Sequence, residues 1–218
     1  MNVVDGAELA SLLARASCGD LEAWGALLAQ HQARLASVIA FRLDARLRGR
    51  IDESDVLQEA FIAATEHRAE FFQQSSQTLL IWLRWMVGNT LLELHRHHLG
   101  VQQRDVRREI SDRNASPVAG DDSTRAALVA RLTCGLTGPA TAAGRADVKA
   151  RLDEALGRME AIDREVIALR HYEQLSSAEA AQVLGIQERA AAKRYTRALE
   201  RLREILSDMP GGLTEIRT

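Results

Sequence analysis

Five cations near the carboxyl end repeat at helical intervals: Arg189, Lys193, Arg194, Arg197 and Arg201. With Ala191 as reference and about 100° per residue, Tyr195, Ala198, Leu202 and Ile205 share its side of a helix over residues 187–206. Arg189, Lys193 and Arg197 fall opposite, with Arg194 and Arg201 on the flank. Such a helix packs by one face and offers cations on the other. It can neutralise phosphates and hydrogen-bond to base edges in a DNA major groove. Basic outer faces also occur on solvated helices that bind nothing. Here a short helical segment over 175–184 and a Leu184-Gly185-Ile186 turn precede the basic helix, and a solvated helix requires neither. The pattern predicts a helix-turn-helix.

Two further clusters could act on a ligand. On a helix over 78–98, Leu79, Leu80, Leu83, Val87, Thr90, Leu91 and Leu94 form one broad face, and Trp82, Trp85, Asn89 and Arg96 form the other. Exposed tryptophans are costly. Either a neighbouring helix covers them, or the rings stack on bases while Asn89 and Arg96 reach base edges or phosphates. On a helix opened by Asp52 as N-cap, Leu57, Phe61 and Ala64 make an apolar stripe, with Asp55, Gln58, Glu59 and Glu66 off it. That acidic side is either solvated or a dock for a basic protein surface.

Chemistry on substrates is poorly supported. His95, His97 and His98 do not share a helical face and have no companion cysteines or carboxylates, so a basic helix end is the better reading than a metal site. Cys18 and Cys134 suggest neither a disulfide framework nor zinc. There is no glycine-rich phosphate loop and no nucleophile–base grouping. The expectation is no cofactor, no metal and no enzymatic activity.

The elements that must position these clusters are helices. Alanine, leucine, arginine and glutamate dominate, aromatics are 4%, and no stretch alternates as a strand does. The 218 residues have room for two small domains. Residues 1–110 read as nearly continuous helix, with breaks at 18–20, 49–51 and 73–77. Residues 111–146 are rich in Ser, Thr, Gly, Ala and Asp, contain Pro117 and Pro139, and read as a flexible linker that allows a transient helix over 124–132. Helical periodicity resumes over 147–207, and 208–218 form a tail. No run approaches the roughly 18 apolar residues of a membrane span, and the amino terminus has no signal pattern. The expected location is the cytoplasm. A net charge of −2 is low for a protein that coats nucleic acid by itself, so local basic faces and a larger partner must supply the affinity.

With these residues in view, the chain resembles bacterial RNA polymerase sigma factors of the extracytoplasmic-function class. Asp52-Glu53-Ser54-Asp55-Val56-Leu57-Gln58-Glu59-Ala60-Phe61 is similar to that family's Asp-x-x-Asp-hydrophobic-x-Gln-Glu-x-Phe signature. Trp82-Leu83-Arg84-Trp85-Met86-Val87-Gly88-Asn89-Thr90-Leu91 is similar to its Trp-Leu-x-x-Ile-x-x-Asn-x-hydrophobic helix, and the carboxy-terminal segments to its second DNA-binding domain. The resemblance implies an all-α chain: a region 2-like helical bundle (1–110), a flexible linker (111–146) and a region 4-like helix-turn-helix (147–207). It implies that Asp55, Gln58 and Glu59 meet the β′ clamp helices of core RNA polymerase. It places Ser75, Ser76, Trp82, Trp85, Asn89 and Arg96 at the −10 promoter element, and Arg189, Lys193, Arg194 and Arg197 at the −35 element. The implied partners are core RNA polymerase (β′ clamp helices and β flap), promoter DNA and an anti-sigma factor, with no membrane insertion. The family pattern is not complete: Gln187-Glu188-Arg189-Ala190-Ala191-Ala192 departs from the usual Gly-Thr-Val-Lys-like start of the recognition helix. The alternative is an autonomous helix-turn-helix regulator, which would have no need of the acidic helix for polymerase binding.

Overall fold

The computed structural model describes residues 6–43, 47, 50–74, 77–99, 121–134 and 142–208. Every regular element among them is helical, and internal contacts divide the chain into two compact units after Gly100. The all-α, two-domain expectation therefore holds.

The first unit contains α1 (Gly6–Ser17), α2 (Leu21–Arg42), α3 (Glu53–Glu66), α4 (Arg68–Gln74) and α5 (Leu79–Leu99). The predicted break at 18–20 separates α1 from α2. Gly19 takes φ +95° there, a left-handed conformation that glycine adopts without a Cβ penalty. Asp20 then caps α2, accepting from the backbone N–H groups of Glu22 and Ala23 at 3.0 Å each. Asp52 caps α3 as the sequence predicts, accepting from Ser54 N–H at 3.3 Å. The break near 73–77 follows α4. A turn at His67 between α3 and α4 was not predicted, and neither Gly nor Pro marks it.

Helix α2 runs through the middle of this unit, against α1, α3 and α5, while α3 also packs on α5. Trp24, Leu27, Leu35, Ile39, Val56, Ala60, Ala64, Leu83 and Val87 are almost fully buried. Removing this apolar area from water supplies the driving force, at roughly 25 cal/mol per Å2.

The second unit contains α6 (Asp121–Cys134), α7 (Ala142–Gly157), α8 (Ala161–Ile167, continued by a π-helical turn over Ala168–Tyr172), α9 (Ser177–Leu184) and α10 (Glu188–Asp208). Leu152, Leu156, Val166, Leu169, Leu175, Ala180, Ala191 and Ala198 form its core. Arg164 is buried among them, and its Nη1 donates to the carbonyls of Leu156 (2.5 Å), in the last turn of α7, and of Met159 just beyond it. It thereby satisfies carbonyls that a helix end leaves without intrahelical partners. Burial pushes its guanidinium below the usual arginine value.

The 111–146 segment differs from its reading as a flexible linker. Helix α6 packs on α7 and α8 with Leu128 and Val129 buried. Buried Thr124 donates its hydroxyl to Glu165 Oε2 of α8 at 2.8 Å, and Arg125 pairs with Asp153 of α7 at 3.1 Å. The second domain thus begins at least as early as Asp121. Residues 101–120, 135–141 and 209–218, including parts of the predicted first domain, linker and tail, lie outside the described residues.

Candidate nucleic-acid and polymerase interfaces

The helix-turn-helix is assembled by local chemistry. Ser176 is the N-cap of α9: its Oγ accepts from Glu179 N–H at 3.1 Å, and the Glu179 carboxylate accepts from Ser176 N–H at 2.7 Å. This reciprocal pair satisfies two otherwise orphaned donors. Gly185 ends α9 in the left-handed region (φ 65°, ψ 30°) and donates its N–H back to Ala181. The turn it makes sends the chain into α10. The Gly185 turn was expected from the sequence and the capping box was not, although Ser176 followed three residues later by Glu179 is its signature.

Along α10 the predicted periodicity is realised. Ala191, Ala198, Leu202 and Ile205 are buried and Tyr195 is half-buried, while Arg189, Lys193 and Arg197 are exposed at successive turns of the opposite side. Glu200 and Glu204 are exposed further along the helix. By the same 100° rule they fall on the cationic side, so positive charge is concentrated in the first half of α10.

Arg194 departs from the prediction. Its Nη1 donates to Asp163 Oδ1 at 2.7 Å and to Glu160 Oε2 at 3.3 Å, both at the start of α8. The Asp163 carboxylate, through this hydrogen bond, holds the guanidinium above the usual arginine value. Arg194 is therefore engaged in an intradomain tie, and Arg189, Lys193 and Arg197 are the fully exposed members of the predicted set. Nearby, the Arg170 guanidinium lies 5.5 Å from the centre of the Tyr195 ring, and its Nη1 donates to the Leu175 carbonyl.

In the first unit, Asp55, Gln58 and Glu59 are all exposed on α3, at the i, i+3, i+4 spacing that makes helical neighbours. Beside them lies an open groove of about 530 Å3 lined by residues including Gln32, Leu57, Gln58, Phe61, Ile62 and Thr65. Ile62 is 53% exposed, so the acidic side adjoins an uncovered apolar side chain. Sequence analysis did not single out Ile62, which sits between the apolar stripe and the acids.

The α5 cluster divides. The Trp82 ring is half-buried, with its centre 6.2 Å from that of Trp24 and 5.3 Å from that of Phe71. Trp24 also donates its indole N–H to Thr65 Oγ1 at 3.1 Å. The covering-helix explanation therefore applies to Trp82, whose partners come from α2 and α4. Trp85 and Asn89 are half-buried, and Arg96 is exposed with its Nε donating to the Leu92 carbonyl at 3.3 Å. Ser75 and Ser76 lie outside the described residues. The broad apolar face is wider than periodicity suggested, because Ile81, Met86 and even Arg84 are buried.

Among the described residues no group of three or more His, Cys, Asp or Glu is placed to hold a metal ion. No helix is long and apolar enough to cross a membrane, again among those residues.

Comparison with known proteins adds two findings. The sequence model of the family described as Sigma-70, region 4 matches residues 149–202, which run from α7 into the last turns of α10. A solved structure described as CnrH in complex with the cytosolic domain of CnrY is similar, with 25% identity over 93% of this chain and 99% of that chain, and a TM-score of 0.49. No curated protein matches the chain. The region 4 match falls on the helix-turn-helix domain. Residues 149–202 therefore carry a domain similar to Sigma-70, region 4, built on α7–α10.

Proposed function

We propose that the chain is a sigma factor of the extracytoplasmic-function type, which binds core RNA polymerase and directs transcription initiation, and that its two domains divide promoter recognition between them. The domain built on α1–α5 binds core polymerase and the −10 element. The domain built on α6–α10 reads the −35 element and meets the β flap. The observation that carries the −35 assignment is the side-to-side separation on α10: its apolar residues are buried, and three cations one turn apart remain exposed. The N-terminal half of such a helix, presented by a capped turn, is the part that enters a major groove.

Asp55, Gln58 and Glu59 would meet the β′ clamp helices, with the neighbouring Phe61–Ile62 groove adding an apolar contact to an otherwise polar dock. Asn89 and Arg96, with Trp85, are the α5 residues best placed for the −10 strand, together with Ser75 and Ser76. Trp82 supports that surface from behind. A captured base must leave its stack, and a shaped site that holds it repays part of that energy. The chain performs no covalent step in this scheme, and it works in the cytoplasm, where polymerase and chromosome are. The anti-sigma factor implied by the family resemblance would act by covering one or both of these faces.

The test is retention of purified chain on bacterial core RNA polymerase, comparing the native sequence with the Asp55→Arg, Gln58→Ala double variant. Binding that the double change abolishes, at an unchanged melting temperature, supports the α3 dock. Equal retention of both proteins refutes it.

A further inference from the structure

The first half of α10, which carries Arg189, Lys193 and Arg197, packs through small buried side chains and the half-buried Tyr195. Ala191 and Ala198 are buried there, whereas the bulky Leu202 and Ile205 lie in the second half. Alanine has little to interdigitate, so it fixes distance from the neighbouring helix better than rotation about the axis. A rotation of about 20° moves a group at a helix surface, 5–6 Å from the axis, by roughly 2 Å. That displacement exceeds what a hydrogen bond to a base edge or phosphate tolerates. A polar tie beside Tyr195 can then fix the angle at which these cations face the groove.

Arg194 is the one α10 cation seen tied back to α8. Its two carboxylate partners, Glu160 and Asp163, are the N-cap and a first-turn residue of α8. Such positions ordinarily serve the free N–H groups of their own helix. Here the Glu160 side chain makes no cap hydrogen bond and is directed to Arg194 instead. Asp163 is only 19% exposed and Arg194 only 36%, so the closer pair is shielded more than an ordinary surface ion pair. Arg194 Nη1 donates to oxygens of two different residues, so the group is held from two directions rather than one.

We infer that Arg194 is a positioning residue for −35 recognition: clasped by Asp163 and Glu160, it sets the rotation of α10 and thereby the aim of Arg189, Lys193 and Arg197. The inference rests on the −35 assignment above. It also separates Arg194 from its neighbours in sequence, which would touch DNA directly.

The two roles predict opposite signs for one substitution. Asp163→Asn removes a negative charge from the domain and releases Arg194. If Arg194 contacted DNA, affinity would stay level or rise. If it positions α10, affinity and sequence preference for the upstream element fall although the protein has become more positive. The experiment uses the full chain with core RNA polymerase on a pool of promoter-length duplexes of randomised sequence, scoring enrichment upstream and downstream separately. Changes at sites that touch no ligand typically alter coupling by roughly two- to thirtyfold. Asp163→Asn and Arg194→Asp are expected to reduce upstream enrichment within that range and leave the downstream element and core binding unchanged. The charge swap Arg194→Asp with Asp163→Arg should restore upstream enrichment, which no direct DNA contact of Arg194 would do. Arg194→Lys, which keeps the charge on a shorter side chain, should fall between. Level or increased upstream enrichment by Asp163→Asn overturns the inference. So does failure of the swap at an unchanged melting temperature. A native holoenzyme that enriches a downstream but no upstream sequence overturns the −35 assignment itself, and the inference with it.

Discussion

If Arg189, Lys193 and Arg197 meet DNA phosphates, their contribution can be read from salt. Each neutralised phosphate adds about 0.9 to the slope of log affinity against log salt concentration. Raising salt fourfold, from about 50 to about 200 mM, then weakens binding roughly 3.5-fold per contact. Three contacts on α10 amount to a slope of about 2.7, or roughly fortyfold over that interval. Arg194 lies within the same two turns but is expected to release no counterion, because its charge is already answered by Asp163 and Glu160. Arg197→Ala should therefore make the slope shallower by about 0.9, and the triple alanine variant by about 2.7.

The assay is competition anisotropy of holoenzyme on a labelled duplex that carries its selected promoter, at four salt concentrations. Core polymerase has its own DNA contacts, but they are common to all variants and cancel in the difference between slopes. A triple variant with native affinity and native slope, at equal retention on core polymerase, would falsify the groove assignment for this face. A variant weakened equally at all salt concentrations would mean that the lost interaction is not ionic.

Four other perturbations follow from the geometry. Trp82→Ala opens the aromatic cluster with Trp24 and Phe71 and should destabilise the first domain by about 3 kcal/mol, the lower end for a large aromatic; an unchanged thermal melt would return the ring to the DNA-binding set. Ser176→Ala breaks the capping box of α9 and should cost about 1 kcal/mol in chemical denaturation of the second domain; native stability would show that the cap is redundant. Thr124→Val takes a buried hydroxyl partner from Glu165 and should cost about 1–3 kcal/mol, seen as faster amide exchange in α6 than in α10; unchanged α6 protection would mean that its apolar contacts suffice. Asp20 is held below its ordinary value of 3.8, first by the Ala23 N–H and then by Arg15. Because the folded value is the depressed one, its cap stabilises α2 fully above pH 4 and is lost as the pH falls through the lower folded value; an NMR titration midpoint at or above 3.8 would contradict this.

What the sequence disclosed, and what it withheld, follows from the range of the interactions. The α9–α10 turn was legible because its determinants lie within a few residues: Gly185 in the left-handed region and an amphipathic stripe of period 3.6. Asp52 as a cap was legible for the same reason. Arg194 was not, because its partners lie 31 and 34 residues earlier in the chain. Periodicity reports which side of a helix a cation occupies, not whether a carboxylate from another helix waits there. The two explanations for Trp82 likewise turned on Trp24 and Phe71, which come from other helices.

Helix α6 shows how composition misleads. Small and polar residues between two prolines suggested a flexible tether, yet Leu128 and Val129 are buried and a Thr124–Glu165 hydrogen bond spans 41 residues. A linker reading assumes that a segment with few apolar residues has nothing to pack against. Here α7 and α8 supply what the segment lacks, including a buried carboxylate for its threonine. The same helix α8 presents Glu165 to α6 and, two residues earlier, Asp163 to α10. Thr124→Val therefore does more than measure one hydrogen bond. If it loosens α6 and leaves −35 enrichment untouched, α8 is rigid enough to hold Arg194 unaided; if enrichment falls too, the supposed linker is part of the DNA-reading apparatus.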